Sequence, residues 1–337
     1  MLPPAEREAL FSETAAQLGV SSSVIVEKDF WVCFTLKHLF GLDFRPTLLL
    51  KGGTSLSKAF GLIQRFSEDI DLTLNRAELG FEGASDPLEI QGTNARRRGI
   101  KALAEKCRSV VAGELAPALR ASFEGVLGRD GWSLEIVNRD DGQSDLNFHY
   151  PPSLTSAEYG GIDYIKPLVR LEIGARSDQD PVQEVEIRSY AAEYFPDYFV
   201  TPTVAVRVLS PERTFWEKAT ILHSENNRPT GRPRPGSLSR HAYDIVMLER
   251  GGIATLALEQ PDLLAAVVRH KNAFFGSGWS DYDQAVPGTF QLVPRGEFEA
   301  AIRQDYEKMS PMFFDEVPSF DDLLATLEEL EARINAA

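Results

Sequence analysis

The sequence predicts a mixed α/β (α+β) protein, with a mixed-sheet core flanked by N-terminal helices and a C-terminal helical domain. Two observations predict this class. Short segments in which apolar and polar residues alternate, typical of half-buried strands, recur between residues 46 and 207. Outside this range, apolar residues mainly recur at helical spacing. We therefore expect an N-terminal helical segment at 1–45, a core at 46–207 and a helical domain at 208–337.

The elements of the first half follow from local patterns. Apolar side chains between Val24 and Leu39 repeat roughly as a helix does. An apolar run at 46–50 predicts a buried strand, and a glycine turn then leads to a helical segment at 55–62. A long alanine-rich stretch at about 93–127 predicts a helical insertion into the core.

The second half begins with strands and ends with helices. Alternation predicts further strands, and a serine followed by proline at Ser210 and Pro211 is a strong helix start. Helical patterns dominate from there to the C-terminus. The predicted later strands are 132–137, 146–150, 168–173 and 183–187.

Composition indicates an ordinary soluble globular protein. The chain has 337 residues, of which 43% are hydrophobic and 25% are charged. No apolar run is long enough to span a membrane, and no secretion signal precedes the first helix. Two cysteines are too few for a disulfide framework or a zinc cluster. We therefore expect a cytoplasmic protein that does not bind membranes.

The net charge of −15 argues against a surface covered with nucleic acid, but positive charge is concentrated locally. One basic stretch opens the helical insertion, and another lies in a proline- and glycine-rich loop at 226–240 without acidic residues. Both could contact RNA phosphates. The candidate RNA-binding residues are Arg96, Arg97, Arg98, Arg228, Arg232, Arg234 and Arg240.

A glycine turn after the first strand is the candidate phosphate site. Gly52 and Gly53 lie where backbone N–H groups at a helix start can face an anion. This turn lacks the spacing of a Walker P-loop. A strand–helix glycine turn is also common without any ligand, so the motif alone leaves both readings open.

Asp69 and Asp71 are candidate metal ligands. Residues two apart on a strand share a face, so both carboxylates point one way while Ile70 and Leu72 point into the core. Oxygen ligands suit Mg²⁺ (or Mn²⁺), with nucleotide phosphates completing its shell. The alternative is a solvated pair of charges. With the glycine turn, the pattern predicts nucleotidyl transfer.

Such chemistry usually needs a third acid, and Glu172 is the best candidate. It alternates with buried residues on a predicted strand. Glu172 could instead only pair with Arg170 or Arg188. Glu186, on the next strand, is the rival.

Lys218 and Asp244 are candidates in the helical half. Lys218 lies beside an apolar helix face and could reach a triphosphate, or could simply hold its ammonium in water. Asp244 could hold Lys218 or a substrate, or only stabilise a helix start.

In this order, these residues resemble the AbiEii/AbiGii family of nucleotidyltransferase toxins, which includes the MenT toxins, within the polymerase-β-like superfamily. The glycine turn and the Asp-x-Asp motif are shared with the whole superfamily, whereas the helical Glu-Lys and Tyr-Asp elements are more specific. The matching segments are 27–31, 51–54, 67–72, 209–212, 217–218, 240–244, 270–275 and 305–306.

The resemblance implies a polymerase-β-like fold and a toxin of a toxin–antitoxin or phage-defence (abortive infection) system. Characterised relatives add nucleotides from an NTP to the 3′ end of tRNA, which stops translation. A cognate antitoxin, often AbiEi-like with a winged-helix domain, is expected as partner.

The resemblance also implies roles for individual residues. Asp69 and Asp71 match the metal ligands, and Lys218 and Asp244 match an essential lysine and aspartate. Two departures bear on the substrate: the loop between Lys218 and Asp244 is long, and His241 stands where an acid is usual. The candidate nucleotide contacts are Gly52, Gly53, Thr54, Ser55, Lys58, Arg65 and Lys218.

The resulting hypothesis is in-line attack of an RNA 3′ hydroxyl on the α-phosphate of an NTP, which releases pyrophosphate. Mg²⁺ lies on the two aspartates, Glu172 positions the hydroxyl, and Lys218, aided by Arg65, meets the charge on the leaving pyrophosphate. One alternative is that a protein or a small molecule accepts the nucleotide. Another is a non-catalytic member that binds a nucleotide or a partner.

Overall fold

The computed structural model describes residues 1–20, 22–67, 69–139, 143–160, 166–313 and 317–337. Glu68, within the predicted Asp-x-Asp segment, lies outside them. The described chain divides into two compact units. The first comprises Met1–Ala59, Phe66–Asp86 and Arg97–Val208, and the second comprises Phe60–Arg65, Pro87–Arg96 and Leu209–Ala337.

A mixed sheet forms the centre of the first unit, which confirms the predicted α/β class. Its strands are β1 Leu48–Lys51, β2 Asp69–Leu74, β3 Ser133–Asn138, β4 Ser144–His149, β5 Val169–Gly174, β6 Val182–Ile187 and β7 Val204–Leu209. They lie in the order β3-β4-β5-β2-β1-β7-β6. β2 is parallel to β5 and antiparallel to β1, so the strand that carries the two aspartates lies inside the sheet.

Strand β7 is not predicted by the sequence analysis. Its buried Val206 and Val208 alternate with exposed Ala205 and Arg207. This alternation is too short to identify a strand without a partner. The parallel pairing of Leu50 with Val208 supplies that partner from a distant part of the chain.

The helices fall before and after β7. Those before it are α1 Pro4–Leu18, α2 Ser23–Phe40, α3 Gly52–Thr54, α4 Thr93–Val110, α5 Ala116–Leu127, α6 Ser156–Gly160 and α7 Tyr190–Tyr194. Those after it are α8 Pro211–Asn226, α9 Ser239–Arg250, α10 Ile253–Leu258, α11 Pro261–Phe275, α12 Glu297–Lys308 and α13 Phe320–Ala336. A π-helical turn, Ser55–Ala59, continues α3, and another, Val111–Leu115, joins α4 to α5.

An aromatic cluster joins helices α2 and α5 to the sheet in the first unit. Trp31 of α2 stacks on Tyr150 with ring centroids 5.2 Å apart. Phe123 of α5 lies 4.5 Å from Phe148 of β4 and 5.3 Å from Phe34 of α2. These rings bury a large apolar area, so α2 is fixed against the sheet.

The second unit packs around α8. Trp216 is 1% exposed, lies 6.0 Å from Phe290 between ring centroids, and donates from its indole N–H to the carbonyl of Ala257 at 3.2 Å. Among the described residues no single helix is long and apolar enough to cross a membrane. Helices α1 and α2, which are bent by 109°, reach that length and apolar composition as a pair, and nothing beyond length and composition supports such a span.

Candidate active site

Strands β2 and β5 place the predicted acids on one face of the sheet. Asp69 and Asp71 alternate with Ile70 and Leu72, which are buried in the core. The parallel register sets Asp71 directly opposite Glu172. Neighbouring strands of a sheet lie about 4.8 Å apart. The structure therefore brings Asp71 and Glu172 together on this face.

The negative charge on this face acts on Glu172. Its pKa is raised by loss of solvent and then by the charges of Asp71 and Asp69. Arg139 opposes this effect, with its Nη1 3.1 Å from Oε1 of Glu172. Arg170, on the same strand face, lies 4.0 Å from Asp69. A cation on this face would relieve the repulsion between the acids.

Asp145 is an acid that the sequence analysis does not identify. It lies on β4 directly opposite Glu172, so Asp145, Glu172 and Asp71 form one row across three strands. Arg139 lies 3.7 Å from Asp145 as well as near Glu172. Asp145 directly precedes the predicted strand 146–150 and belongs to β4 in the structure. Its position in the row depends on strand order, which a local pattern does not specify.

Glu186, the rival third acid, lies away from this row. It is exposed on β6, the edge strand, and β1 and β7 separate β6 from β2. The sheet therefore favours Glu172, because its strand is the direct neighbour of β2.

The glycine turn packs directly on the second aspartate. Gly52 has φ +72°, and a Cβ at this position would lie 2.2 Å from Oδ2 of Asp71. The side chains of Thr54 and Ser55 are fully buried: Thr54 donates to the carbonyl of Asp69, and Ser55 to that of Gly52 at 2.8 Å. These hydroxyls therefore build the turn, and the backbone of Gly52 and Gly53 is the part suited to phosphate.

Lys58 does not occupy the position expected for a phosphate ligand. Its ammonium forms an ion pair with Asp29 of α2 and lies 3.5 Å from the ring centroid of Tyr190. Its side chain is 8% exposed. Burial between a carboxylate and an aromatic ring makes Lys58 part of the support of the turn.

Lys218 and Asp244 meet in the second unit, together with Arg65. Asp244 is fully buried and accepts from Nε and Nη2 of Arg65, both at 2.8 Å. Lys218 lies 2.8 Å from the same carboxylate. These cations hold the pKa of Asp244 well below its usual range, against the effect of burial. Arg65, predicted as a nucleotide contact, thus uses its guanidinium on Asp244.

His241 borders this cluster. Loss of solvent, and then the positive charge of Lys218, lower the pKa of His241 well below its usual value. The imidazole is therefore neutral at pH 7. It does not replace the acid expected at this position, because a neutral ring carries no negative charge.

Two of the predicted RNA-binding arginines are held by ion pairs and aromatic rings, and the others differ in exposure. Arg228 and Arg234 both pair with the buried Glu225, at 2.6 and 3.1 Å, and stack over Trp279 and Phe298. These contacts hold the loop against the second unit, so Arg228 and Arg234 are not the exposed phosphate contacts that the sequence suggests.

The remaining arginines differ in exposure. Arg96 is half-buried and donates to the carbonyl of Pro87 at 3.1 Å, and Arg240 is also half-buried. Arg97, Arg98 and Arg232 are exposed. These three are therefore the arginines best placed to meet a polyanion.

The donors on this face suit a divalent cation only together with a substrate. Within the described ranges, no group of three or more His, Cys, Asp or Glu side chains is arranged to hold a metal ion. Mg²⁺ is commonly bound by only one or two carboxylates plus substrate phosphates. Asp69 and Asp71 supply this oxygen-only pair, so the residues fit a cation that arrives with a nucleotide.

Comparison with known proteins places the chain in a family. The profile described as nucleotidyl transferase AbiEii toxin, type IV toxin–antitoxin system, matches residues 36–326. MenT4, a nucleotidyltransferase toxin from Mycobacterium tuberculosis H37Rv, is 15% identical, with a TM-score of 0.43 over 96% of this chain and 98% of that chain. A search of curated protein sequences finds no match. The profile spans most of the chain, and the chain therefore belongs to the AbiEii family of nucleotidyltransferase toxins.

Proposed function

We propose that this toxin transfers a nucleotide from an NTP to the 3′ end of tRNA in the cytoplasm, and so blocks translation. The observation that carries the proposal is the register of β2 and β5, which sets Asp71 opposite Glu172 beside the Gly52 turn. Nucleotidyl transfer needs carboxylates beside a phosphate-binding backbone.

Each residue on this face has a proposed role. Asp69 and Asp71 hold the divalent cation, which supplies neutralisation of phosphate charge when bound. The backbone N–H groups of Gly52 and Gly53 bind phosphate oxygens. Glu172 accepts a hydrogen bond from the attacking hydroxyl and orients it, while the positive charge of Arg139 opposes the rise in the pKa of Glu172.

Positively charged residues of each unit also have proposed roles. Within the second unit, we propose that Asp244 orients the ammonium of Lys218 to bind a phosphate group. Exposed Arg97, Arg98 and Arg232 attract the RNA backbone. A type IV family implies a cognate antitoxin; we propose one with a winged-helix domain and a role in phage defence.

The test is transfer of label from each α-labelled NTP, with Mg²⁺, in a mixture of total tRNA and protein. Asp69→Ala is expected to lower transfer at least 100-fold, the usual cost of losing a group that stabilises the transition state. Glu186→Gln is the matched control, because it changes an acid at the far edge of the same sheet.

Three results would contradict the proposal. Label in the protein fraction would indicate a protein acceptor. Absence of NTP consumption by the wild type would indicate a non-catalytic member. Full activity of Asp69→Ala would remove the assigned metal site.

A further inference from the structure

Helix α2 buries three consecutive charged residues that the reaction does not use directly. Glu27, Lys28 and Asp29 are 0%, 2% and 3% exposed. Charged side chains are rarely buried this deeply without partners. Successive residues on a helix point about 100° apart, so each of the three reaches a different segment.

Glu27 anchors the segment after β4. Its carboxylate accepts from the backbone N–H of Ser153 at 2.6 Å, from the Ser153 hydroxyl at 2.7 Å and from Tyr159 at 2.8 Å. This segment carries none of the candidate site residues.

Lys28 anchors the start of β5. Its ammonium donates to the carbonyl of Lys166 at 3.2 Å and to that of Leu168. Leu168 directly precedes β5, and Glu172 follows it four residues later. Since the strand is rigid, the position of Leu168 sets where Glu172 lies along β2.

Asp29 anchors the glycine turn. It pairs with Lys58, which is in the π-helical turn that continues from Gly52–Thr54. The same carboxylate accepts from the backbone N–H of Tyr190 at 2.7 Å. The turn is thus held at two points: Thr54 bonds to the strand of the aspartates, and Lys58 bonds to α2.

Stability alone does not explain these charges. Apolar side chains of similar size in place of a buried ion pair are often neutral or stabilising, and in some proteins buried charges instead select one geometry. π-helical turns also occur frequently at functional sites.

We propose that α2 is a positioning element for nucleotidyl transfer: the Asp29–Lys58 pair orients the nucleotide-binding turn, and Lys28 sets the position of Glu172. This inference rests on the proposed function. It assigns the two anchors to different kinetic steps, since the turn binds nucleotide and Glu172 orients the acceptor.

The experiment compares four variants of the full chain. Asp29→Asn with Lys58→Met removes both charges but keeps an acceptor for the Tyr190 amide. Calorimetry with the magnesium salts of ATP, CTP, GTP and UTP first identifies the nucleotide that the wild type binds best. For that nucleotide we expect the double variant to raise the Kd at least tenfold and to leave kcat within twofold of wild type. Lys28→Met is expected to lower kcat at least tenfold with the Kd within twofold.

Glu27→Gln is the matched control, because it alters an equally buried charge on the same helix. We expect it to change neither constant more than twofold, even if it lowers the melting temperature as much as the other variants. Lys58→Arg keeps the positive charge beside Asp29, so we expect its Kd to stay within threefold of wild type. A small effect here and a large effect in the double variant would separate loss of positioning from misfolding.

Equal effects of all variants on Kd and kcat would show a purely structural role and overturn the inference. Wild-type constants in both the double variant and Lys28→Met would also overturn it. A failure of the proposed function looks different. A wild type that binds NTP but does not label tRNA would refute the acceptor, while the Kd comparison still decides the role of Asp29 and Lys58. A wild type that binds no NTP would refute both.

Discussion

Replacing Asp244 with asparagine is expected to destabilise the second unit by about 3–5 kcal/mol at pH 7, the usual cost of removing one partner from a buried ion pair. The carboxylate makes three contacts of 2.8 Å, two with Arg65 and one with Lys218. Charge-assisted bonds contribute roughly 1.5–3 kcal/mol each. Asparagine keeps a similar shape but removes the negative charge, so the two cations lose their shared counter-ion.

The assay is urea unfolding followed by tryptophan fluorescence, since Trp216 lies in the second unit. Asp262→Asn is the matched control, because Asp262 is exposed in the first turn of α11 and should change stability by less than about 1 kcal/mol. A lost 3–5 kcal/mol is a large share of the roughly 5–15 kcal/mol that holds a typical protein folded.

The pH dependence gives a second test of the same reasoning. The pKa of Asp244 is lowered in the folded state, so its stabilisation is complete above the unfolded value of about 3.9 and is lost as pH falls further. The difference between wild type and variant should therefore hold constant from pH 7 to about 5 and shrink only below pH 4. A difference below about 1 kcal/mol at pH 7, or one that disappears by pH 5, would refute the buried ion cluster.

Three further predictions test other parts of the molecule. Gly52→Ala should lower nucleotide transfer at least tenfold and should unfold more easily than Gly61→Ala. Gly61 is the control because it has a similar positive φ but no atom within 4 Å of the added Cβ. Equal behaviour of the two variants would exclude the close contact between Gly52 and Asp71. For His241, whose pKa is lowered, the unfolded state takes up the proton below about pH 6.5. His241→Gln should therefore flatten the loss of stability from pH 6.5 to 5 by up to about 1.4 kcal/mol per unit; an unchanged slope in urea unfolding would contradict this. Replacing Arg97 and Arg98 with glutamine should reduce the slope of tRNA affinity against salt by roughly 0.7–0.9 per lost phosphate contact, measured by filter binding, and an unchanged slope would remove these residues from the RNA surface.

The predicted strand positions were largely correct because the signal is local. Asp69 and Asp71 are separated by a buried isoleucine, so the alternation alone shows which side chains face the core. The positive φ of Gly52 is likewise a property that the residue type indicates. The mixed α/β class and the family followed from these motifs and were confirmed.

The partners of charged residues could not be predicted in the same way. Lys58 resembles a phosphate ligand by its spacing from the glycines, but Asp29 on a helix earlier in the chain holds it in the interior. Arg228 and Arg234 resemble an exposed basic loop, yet the buried Glu225 binds both. Charge alone does not reveal whether a side chain meets solvent or a counter-ion, because that depends on burial.

The sequence by itself determined the glycine turn, the two aspartates on one strand face and the membership of a nucleotidyltransferase family. The tertiary structure decided which other acid joins them. Glu172 and Glu186 both alternate with apolar residues, but β5 lies beside β2 whereas β6 forms the edge of the sheet. Strand order and register arise from pairing between distant segments, and a local pattern specifies only which face a side chain occupies.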